Sequence, residues 1–199
     1  MTYEEYNKSM DGVISDLQTG AHAVVMVKLA VNALSMIKQR VQETGKDAQG
    51  NSYSGYSTRP LLVGKSSFIQ LSAAQVLLGS KKKRKALEWR TIGKGENARR
   101  LAILNGGYKD LRNRQGRQTD HVDFSYTGRM WSNINIRSTQ SDHQRGLAII
   151  GAGTPEDKKK LEGNTERKGE ILDLSQSEID KLNEIYNYEV LNIFHKRGL

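Results

Sequence analysis

The stretch VDFSYTGRMWSNINIR, Val122–Arg137, decides the fold class, because here the hydrophobic pattern changes from helical spacing to alternation. Apolar residues alternate with polar ones in its first part, at Val122, Phe124 and Tyr126. A short helical turn then begins at Thr127 and directs Met130 and Trp131 toward the core. Alternation resumes over Ile134–Arg137. The stretch therefore predicts a strand, a turn of helix and a second strand in succession.

Helical patterns lie on both sides of this region. Apolar residues recur at helical spacing over Tyr3–Leu17 and Ala21–Thr44, and Gly45 follows as the residue that ends the second helix. A further short apolar run, Leu147–Ile150, predicts another strand. We therefore expect a single α+β domain over residues 1–199, with a small antiparallel β-sheet flanked by a long N-terminal helix and a C-terminal helix.

The C-terminal helix has the clearest signature. Ser175 is placed as its N-cap, and Glu178, three residues later, completes a capping box. The apolar stripe of this helix consists of Ile179, Leu182, Tyr186, Val190 and Ile193.

The helix at Ala21–Thr44 is the most apolar part of the chain. Polar residues interrupt its apolar part, which is shorter than the roughly 20 residues that span a bilayer. Because apolar residues also flank the main stripe, we expect the first half of this helix to be enclosed on more than one side. We do not expect the helix to associate with a membrane. The predicted stripe contains Val24, Val27, Val31, Leu34, Ile37 and Val41.

The middle of the chain is less regular. Residues 45–64, GKDAQGNSYSGYSTRPLLVG, combine turn-forming residues with two tyrosines and predict a long ordered loop or extended arm. Residues 65–100 form a basic, insertion-like segment. Within it the pattern fits a short strand near Phe68–Leu71 and helical turns at Ala73–Leu78 and Ala86–Trp89. A helix is expected at Glu96–Asn105. Closer to the C-terminus, Thr154–Gly169 predicts a surface helix or loop.

Positive charge is concentrated in the middle of the chain. The net charge is +9, and residues 81–120 contain 13 Lys or Arg against 4 acidic residues, which accounts for the whole excess. Such a field suits nucleic acid or an acidic protein surface, although a solvated basic face is the ordinary alternative. The predicted contact residues are Lys81, Lys82, Lys83, Arg84, Lys85, Arg99, Arg100, Arg112, Arg114 and Arg117.

Catalytic and metal-binding patterns are absent from the sequence. There is no cysteine, and none of the four histidines has a metal-ligand or acid/base partner at a recognised spacing. Gly64-Lys65-Ser66 ends like a phosphate-binding loop, but Arg59 stands where its first glycine would be. We therefore predict a protein that is not an enzyme, has no cofactor or metal, and is made in a cytoplasm, since no signal peptide is evident.

Three segments, taken in order, resemble the virion-morphogenesis and tail-completion proteins of tailed bacteriophages. The first is Thr44–Tyr53, TGKDAQGNSY, with Tyr56-Ser57; the second is Gly107–Arg112, GYKDLR, with Gly116 and Val122–Met130; the third is Glu162-Gly163-Asn164 with Leu174–Glu178, LSQSE. The chain departs from the family in its longer, more basic middle and in Phe124, where leucine is common. We refer to the following as the motif residues: Gly45, Asp47, Gly50, Tyr56, Gly107, Tyr108, Arg112, Thr127, Gly128, Met130, Ser175 and Glu178.

The resemblance implies a structural virion protein of the head–tail junction. Such proteins form rings, as a neck connector or a tail-completion subunit, and join portal or adaptor proteins to the tail. The partners expected from the resemblance are copies of the chain, those neighbouring virion proteins and the packaged DNA. The alternative hypothesis is a nucleic-acid-binding protein that uses residues 81–117 as its electrostatic footprint.

Overall fold

A computed structural model describes residues 2–64, 88–125, 127–141 and 146–199. The fold is mixed α+β with small antiparallel sheets, as the hydrophobic pattern predicted. The expected strand at Phe68–Leu71, the helical turn at Ala73–Leu78 and the basic residues Lys81–Lys85 lie outside the described residues.

The helices are numbered here in chain order. They are α1 (Tyr3–Thr19), α2 (Ala21–Gln39, continued by a π-helical turn at Arg40–Thr44), α3 (Gly107–Arg114), α4 (Arg129–Asn133), α5 (Pro155–Lys168) and α6 (Gln176–Lys196). The strands are β1 (Leu61–Gly64), β2 (Glu88–Ile92), β3 (Arg99–Leu104), β4 (Ile134–Ser141) and β5 (Gly146–Ala152).

By its internal contacts the chain divides into two compact units, whereas the sequence pattern favoured a single domain. Unit 1 consists of Met1–Tyr53 and Asp123–Leu199. Unit 2 is the intervening stretch Ser54–Val122. Residues 45–53 of the predicted loop or arm belong to unit 1, and residues 54–64 belong to unit 2.

Unit 1 is built on the antiparallel pair β4–β5, which has a register shift between Ile136 and Ser138. Helix α2 contacts both strands and also α6. Helix α6 runs antiparallel to α2, since Glu178 at its start contacts Arg40 after the end of α2, and Glu189 further along contacts Lys28 in the first half of α2. The sequence predicted α4, β4, β5 and α6 at these places, and the structure confirms them.

Burial of α2 differs from the prediction. Val24, Val27 and Val31 were assigned to the buried stripe, but they are 58%, 40% and 54% exposed. The expectation that the first half of α2 is enclosed on more than one side is therefore wrong. The reason is that α2 is apolar on several faces, so periodicity alone cannot identify the face that meets the sheet. The residues of α2 and its π-helical turn that are buried are Val25, Ala30, Ala33, Ile37 and Val41.

Unit 2 contains a three-stranded antiparallel sheet in the order β1-β3-β2. Helix α3 packs on one face of this sheet through Leu111, against Val63, Ala102 and Leu104. These three strand residues share a face because Val63 pairs with Ala102 in register and side chains alternate along a strand.

Two sequence-based assignments in unit 2 are wrong. Residues 99–104 form β3 and not part of a helix at Glu96–Asn105, and Trp89 lies in β2 and not in a helical turn. The run Leu101–Leu104 is apolar at every position, so its periodicity fits a helix and a strand equally well. These residues form a strand because β3 pairs with β1 on one side and with β2 on the other.

The prediction of a strand at Val122–Tyr126 is also wrong for residues 122–125, which the structure describes. Residues 122–125 form no regular element, and Phe124 has a φ of 50°, in the left-handed region. The carboxylate of Asp123 accepts a hydrogen bond from the backbone N–H of Ser125 at 2.8 Å. This local turn interrupts the extended backbone that a strand needs.

The surface segment predicted at Thr154–Gly169 is a helix, α5, and its start is fixed by a buried carboxylate. Asp157 is 0% exposed, and its side chain accepts hydrogen bonds from Thr154 at 2.7 Å, Asn133 at 2.6 Å and Lys160 at 3.1 Å. Hydrogen bonds from Thr154 and Asn133 lower the pKa of Asp157 to about 2 from its ordinary 3.8. The contact with Asn133 connects α5 to the end of α4.

We expect Asp157→Asn to destabilise the fold at pH 7 but not near pH 2. Because the folded-state pKa is lowered, the ionised carboxylate stabilises the protein above pH 3.8, and that contribution is lost as pH falls from 3.8 toward 2. Urea denaturation of both proteins across pH 2–7 measures the difference. The exposed carboxylate variant Glu166→Gln is the control, and a difference for Asp157→Asn that does not change with pH would contradict the explanation.

Two glycines of unit 2 allow a matched test of its packing. Gly107 and Gly116 both have a φ of 65°, but a Cβ on Gly107 would lie 2.7 Å from the carbonyl oxygen of Ser57, whereas a Cβ on Gly116 would have no atom within 4 Å. Gly116→Ala should lower the free energy of unfolding by about 1 kcal/mol, because of the left-handed backbone alone. Gly107→Ala should lower it by roughly 2 kcal/mol more, because the added Cβ collides with the backbone.

Hydrogen exchange of peptides from β3 and α3 would measure both effects. Equal loss of protection in the two variants would show that the chain segment at Ser57 does not constrain Gly107.

Candidate assembly interface

Two motif residues of unit 1, Ser175 and Glu178, lie at the side chain of Arg40, at the start of the π-helical turn. Its Nε donates to the Glu178 carboxylate at 2.9 Å, and its other nitrogens donate to the carbonyl oxygens of Lys46 at 2.8 Å and Asp173 at 2.6 Å. The other carboxylate oxygen of Glu178 accepts from the Ser175 backbone N–H at 2.8 Å, which completes the predicted capping box. We refer to Arg40, Lys46, Asp173, Ser175 and Glu178 as the Arg40 hub.

The Arg40 hub is largely shielded from water. The side chains of Arg40 and Glu178 are 13% and 8% exposed. Burial acts to raise the pKa of Glu178, but hydrogen bonds from Arg40 and Ser175 outweigh it, and the pKa is lowered. The hub therefore holds an ionised pair that connects the end of α2 to the start of α6.

The glycine-rich motif of unit 1 forms a closed turn beside the hub. Gly45 ends the π-helical turn with a φ of 63°, and Gly50 has a φ of 84°. Between them, the Asp47 carboxylate accepts hydrogen bonds from the backbone N–H groups of Gln49 at 3.0 Å and Asn51 at 2.8 Å. These residues shape the backbone, which explains their residue types without a ligand.

The motif residues of unit 2 surround a buried arginine. Arg112 is 1% exposed, its guanidinium lies 4.4 Å from the centre of the Tyr56 ring, and its Nε donates to the carbonyl oxygen of Gln118 at 3.0 Å. The rings of Tyr56 and Tyr108 meet edge to face at 5.5 Å. Arg112 therefore fastens the end of α3 to the segment that precedes β1.

The remaining motif residues lie around α4. Gly128 precedes this helix with a φ of 76°, and Thr127 accepts a long hydrogen bond of 3.4 Å from the next residue but one. Met130 is buried, and the side-chain nitrogen of Asn164 lies 3.6 Å from its sulfur. The neighbouring Trp131 is also buried and donates from its ring nitrogen to the Asp123 carbonyl oxygen at 2.9 Å.

The predicted basic contact residues divide into accessible and inaccessible ones. Arg99 and Arg100 are exposed on β3, and Arg100 lies over the ring of Trp89 at 5.5 Å. Arg112 is buried, so the prediction that it contacts DNA or an acidic partner is wrong. Arg114 is half-buried and paired with Asp110 at 3.0 Å. Arg117 is half-buried as well, and Lys81–Lys85 lie outside the described residues.

Unit 1 exposes an extensive apolar surface on its first two helices. Tyr3 is 79% exposed, and the stripe continues along α1 with Tyr6 and Ile14. On α2 the exposed apolar residues are Val24, Val27 and Val31. Clusters of exposed large apolar side chains are typical of surfaces that contact another protein.

Unit 2 exposes the face of its sheet opposite α3, which we call the outer sheet face. Leu62 and Ile92 are 47% and 45% exposed there. Register places Leu62 beside Ile103, Arg90 beside Leu101 and Ile92 beside Arg99, so all six residues share this face. Glu88 lies on the same face beside Ile103, so the outer sheet face combines apolar side chains with two arginines and one glutamate.

The two units differ strongly in charge. Unit 2 contains 15 Lys or Arg and 4 acidic residues, a net charge of +11, whereas unit 1 contains 16 and 18, a net charge of −2. Helix α1 has Glu4, Glu5, Asp11 and Asp16 against Lys8, a net charge of −3. The positive excess of the protein therefore belongs to unit 2 alone.

Within residues 2–64, 88–125, 127–141 and 146–199, no three His, Asp or Glu side chains are grouped in a way that could hold a metal ion. The described surface includes an open depression on α5, lined by Glu156, Lys159, Lys160, Gly163, Asn164 and Arg167. Within this depression Glu156 is paired with Lys160 at 2.9 Å.

Among the residues that the structure describes, one helical stretch, Ala21–Thr44, is long and apolar enough to cross a membrane. In the fold this stretch packs against β4, β5 and α6, and Ile37 and Val41 are fully buried. The core helix of a soluble protein satisfies the same length and hydropathy criteria. Length and composition alone therefore do not distinguish a membrane-spanning helix from the core helix of a soluble protein.

No family model, no curated protein and no solved structure matches the chain. The resemblance to phage tail-completion proteins therefore stays a hypothesis that rests on the three sequence segments.

We expect neutralisation of either charge in the Arg40–Glu178 pair to destabilise unit 1 by about 3 kcal/mol, because the remaining charge stays buried without its partner. Glu178→Gln retains a side chain that can complete the capping box, so it isolates the charge. Urea denaturation followed by circular dichroism measures the loss for Arg40→Gln, Glu178→Gln and the double variant.

The double variant should lose less than the sum of the single losses. The exposed pair of Asp16 and Arg197, 2.7 Å apart, is the control, and Asp16→Asn should have a much smaller effect. Strict additivity at Arg40 and Glu178 would contradict a coupled buried pair.

Proposed function

We propose that this chain is a structural subunit of the head–tail junction of a tailed bacteriophage, where it assembles with its own copies into a ring. In this role it is a neck connector or tail-completion protein that joins portal or adaptor proteins to the tail. The observation that carries the proposal is the apolar surface of α1 and α2, which the chain itself leaves exposed. Coverage by neighbouring subunits removes this surface from water.

The inward placement of the motif residues also supports an assembly role. Ser175 and Glu178 belong to the Arg40 hub, and Tyr56 and Arg112 form a buried contact in unit 2. In a protein with an active site, polar side chains converge on a cleft that a substrate can enter. The described polar clusters instead stabilise the fold, which leaves the outer surfaces as the functional part of the molecule.

A ring requires a head-to-tail contact, in which two different patches of the chain meet in every neighbouring pair. The chain provides patches of opposite character, since the −3 charge of α1 contrasts with the +11 charge of unit 2. Opposite potentials favour such a contact and fix its direction.

Nucleic-acid binding by residues 81–117 is the second candidate, and the contact between Arg100 and Trp89 favours it, because exposed arginine and tryptophan together suit stacking on bases. Titration of labelled DNA at several salt concentrations separates the candidates. Tight binding by a monomer with a steep salt dependence would favour the DNA-binding protein.

We expect the triple change Val24→Gln, Val27→Gln, Val31→Gln to abolish assembly without unfolding the chain. These valines are exposed, and glutamine is at least as good a helix former. A phage with the gene deleted should produce defective particles on electron micrographs. The wild-type gene on a plasmid should restore infectivity, and the triple variant should restore less than about a hundredth of it, since hot-spot losses of a few kcal/mol accumulate.

The control is the triple change Lys158→Gln, Lys159→Gln, Glu166→Gln on the exposed side of α5, which should restore infectivity fully. Normal infectious particles from the deleted phage would rule out the proposed function. Full rescue by the valine variant would show that this face of α2 is not an assembly contact.

A further inference from the structure

Helix α1 is an amphipathic helix whose apolar stripe is left largely uncovered. Tyr3, Tyr6 and Ile14 are exposed, and Val13 is the one residue of α1 buried among those whose side chains are described. Glu4 and Asp11 lie seven residues apart, so they occupy the same flank of this stripe after two helical turns. Lys8 lies between them on this flank, so helix α1 presents an apolar stripe with a border that is acidic in net charge.

The outer sheet face of unit 2 has the complementary character. Its centre is apolar, with Leu62, Leu101 and Ile103 in adjacent register positions, while Arg90 and Arg99 supply positive charge. Glu88 offsets part of that charge, since its carboxylate lies 3.7 Å from the Arg90 side chain. Helix α3 covers the opposite face of the sheet, so a helix on the outer face would complete a three-layer packing.

The dimensions of the two surfaces also agree. The stripe from Tyr3 to Ile14 covers eleven helical steps, about 17 Å along the helix axis. The six residues of β3 extend about 20 Å. One helix can therefore cover the apolar part of the outer sheet face from end to end.

We propose that α1 of one copy docks on the outer sheet face of the next copy, with Glu4 and Asp11 facing Arg90 and Arg99. This inference rests on the proposed self-assembly and identifies its contact. The partner is a second copy of this chain because both complementary surfaces are present on every copy. A contact between two different patches propagates around a ring, with the same pair of patches used at each step.

Reversing the charges on one of the two surfaces at a time tests the contact. The helix variant, Glu4→Arg with Asp11→Arg, has positive charge at both surfaces, and the sheet variant, Arg90→Glu with Arg99→Glu, has negative charge at both. Each variant alone should dissociate at least about tenfold more readily than the wild type at low salt, because like charges then face each other. Light scattering on a sizing column measures the mass of each species.

A mixture of the two variants should assemble again. The positive α1 of the helix variant then meets the negative sheet of the sheet variant, and the reverse contact is complementary as well. Restored mass in the mixture, but not in either variant alone, is the expected result. High salt should weaken the restored assembly, since the exchanged pairs lie at an exposed border.

Two control variants have the same change in charge at exposed positions outside the proposed contact. Glu166→Arg with Glu184→Arg matches the helix variant, and Arg167→Glu with Lys181→Glu matches the sheet variant. Both controls should assemble as the wild type does.

Three results would overturn the inference: a wild-type chain that stays monomeric up to its solubility limit, full assembly of both variants alone, or no recovery in the mixture. The second and third leave the proposed function standing with a different contact. Normal virions after gene deletion remove the proposed function itself.

Discussion

The architecture of unit 1 depends on one side chain, Arg40, and on the geometry that its planar guanidinium imposes. Its nitrogens bind three acceptors that belong to different parts of the chain, the Lys46 carbonyl after α2, the Asp173 carbonyl before α6 and the Glu178 carboxylate within α6. A guanidinium presents its donors in a fixed fork, so these three segments can satisfy it only in one relative position. The position of the start of α6 beside the end of α2 follows from that constraint.

The sequence predicted the elements whose signals are local. The capping box at Ser175 and the glycine that ends the π-helical turn were visible, because neighbouring residues determine them. The prediction of a helix at Glu96–Asn105 was wrong because hydrophobic periodicity does not show that β3 pairs with the neighbouring β2 and with the more distant β1. The strand predicted at Val122–Tyr126 failed because the left-handed backbone of Phe124 leaves no trace in hydrophobic periodicity.

The candidate contacts were predictable only in part. Basic residues could be counted in the sequence, but the sequence does not show that Arg112 is buried under Tyr56 while Arg99 and Arg100 remain exposed. The exposed valines of α2 were assigned to the buried stripe for a related reason, since an apolar residue on an apolar helix cannot be distinguished from a core residue until its neighbours are known. The role of Arg40 is not visible in the sequence, because two of its acceptors lie 133 and 138 residues away.

The two tryptophans of the chain are distributed one to each unit. Trp131 is buried in unit 1 with its ring nitrogen bonded to a backbone carbonyl, whereas Trp89 of unit 2 is 37% exposed on β2. Indole emission shifts to the red with hydration, so the native spectrum combines a blue and a red component. Each unit therefore contains its own intrinsic optical reporter, and the loss of one unit can be followed separately from the loss of the other without any attached dye.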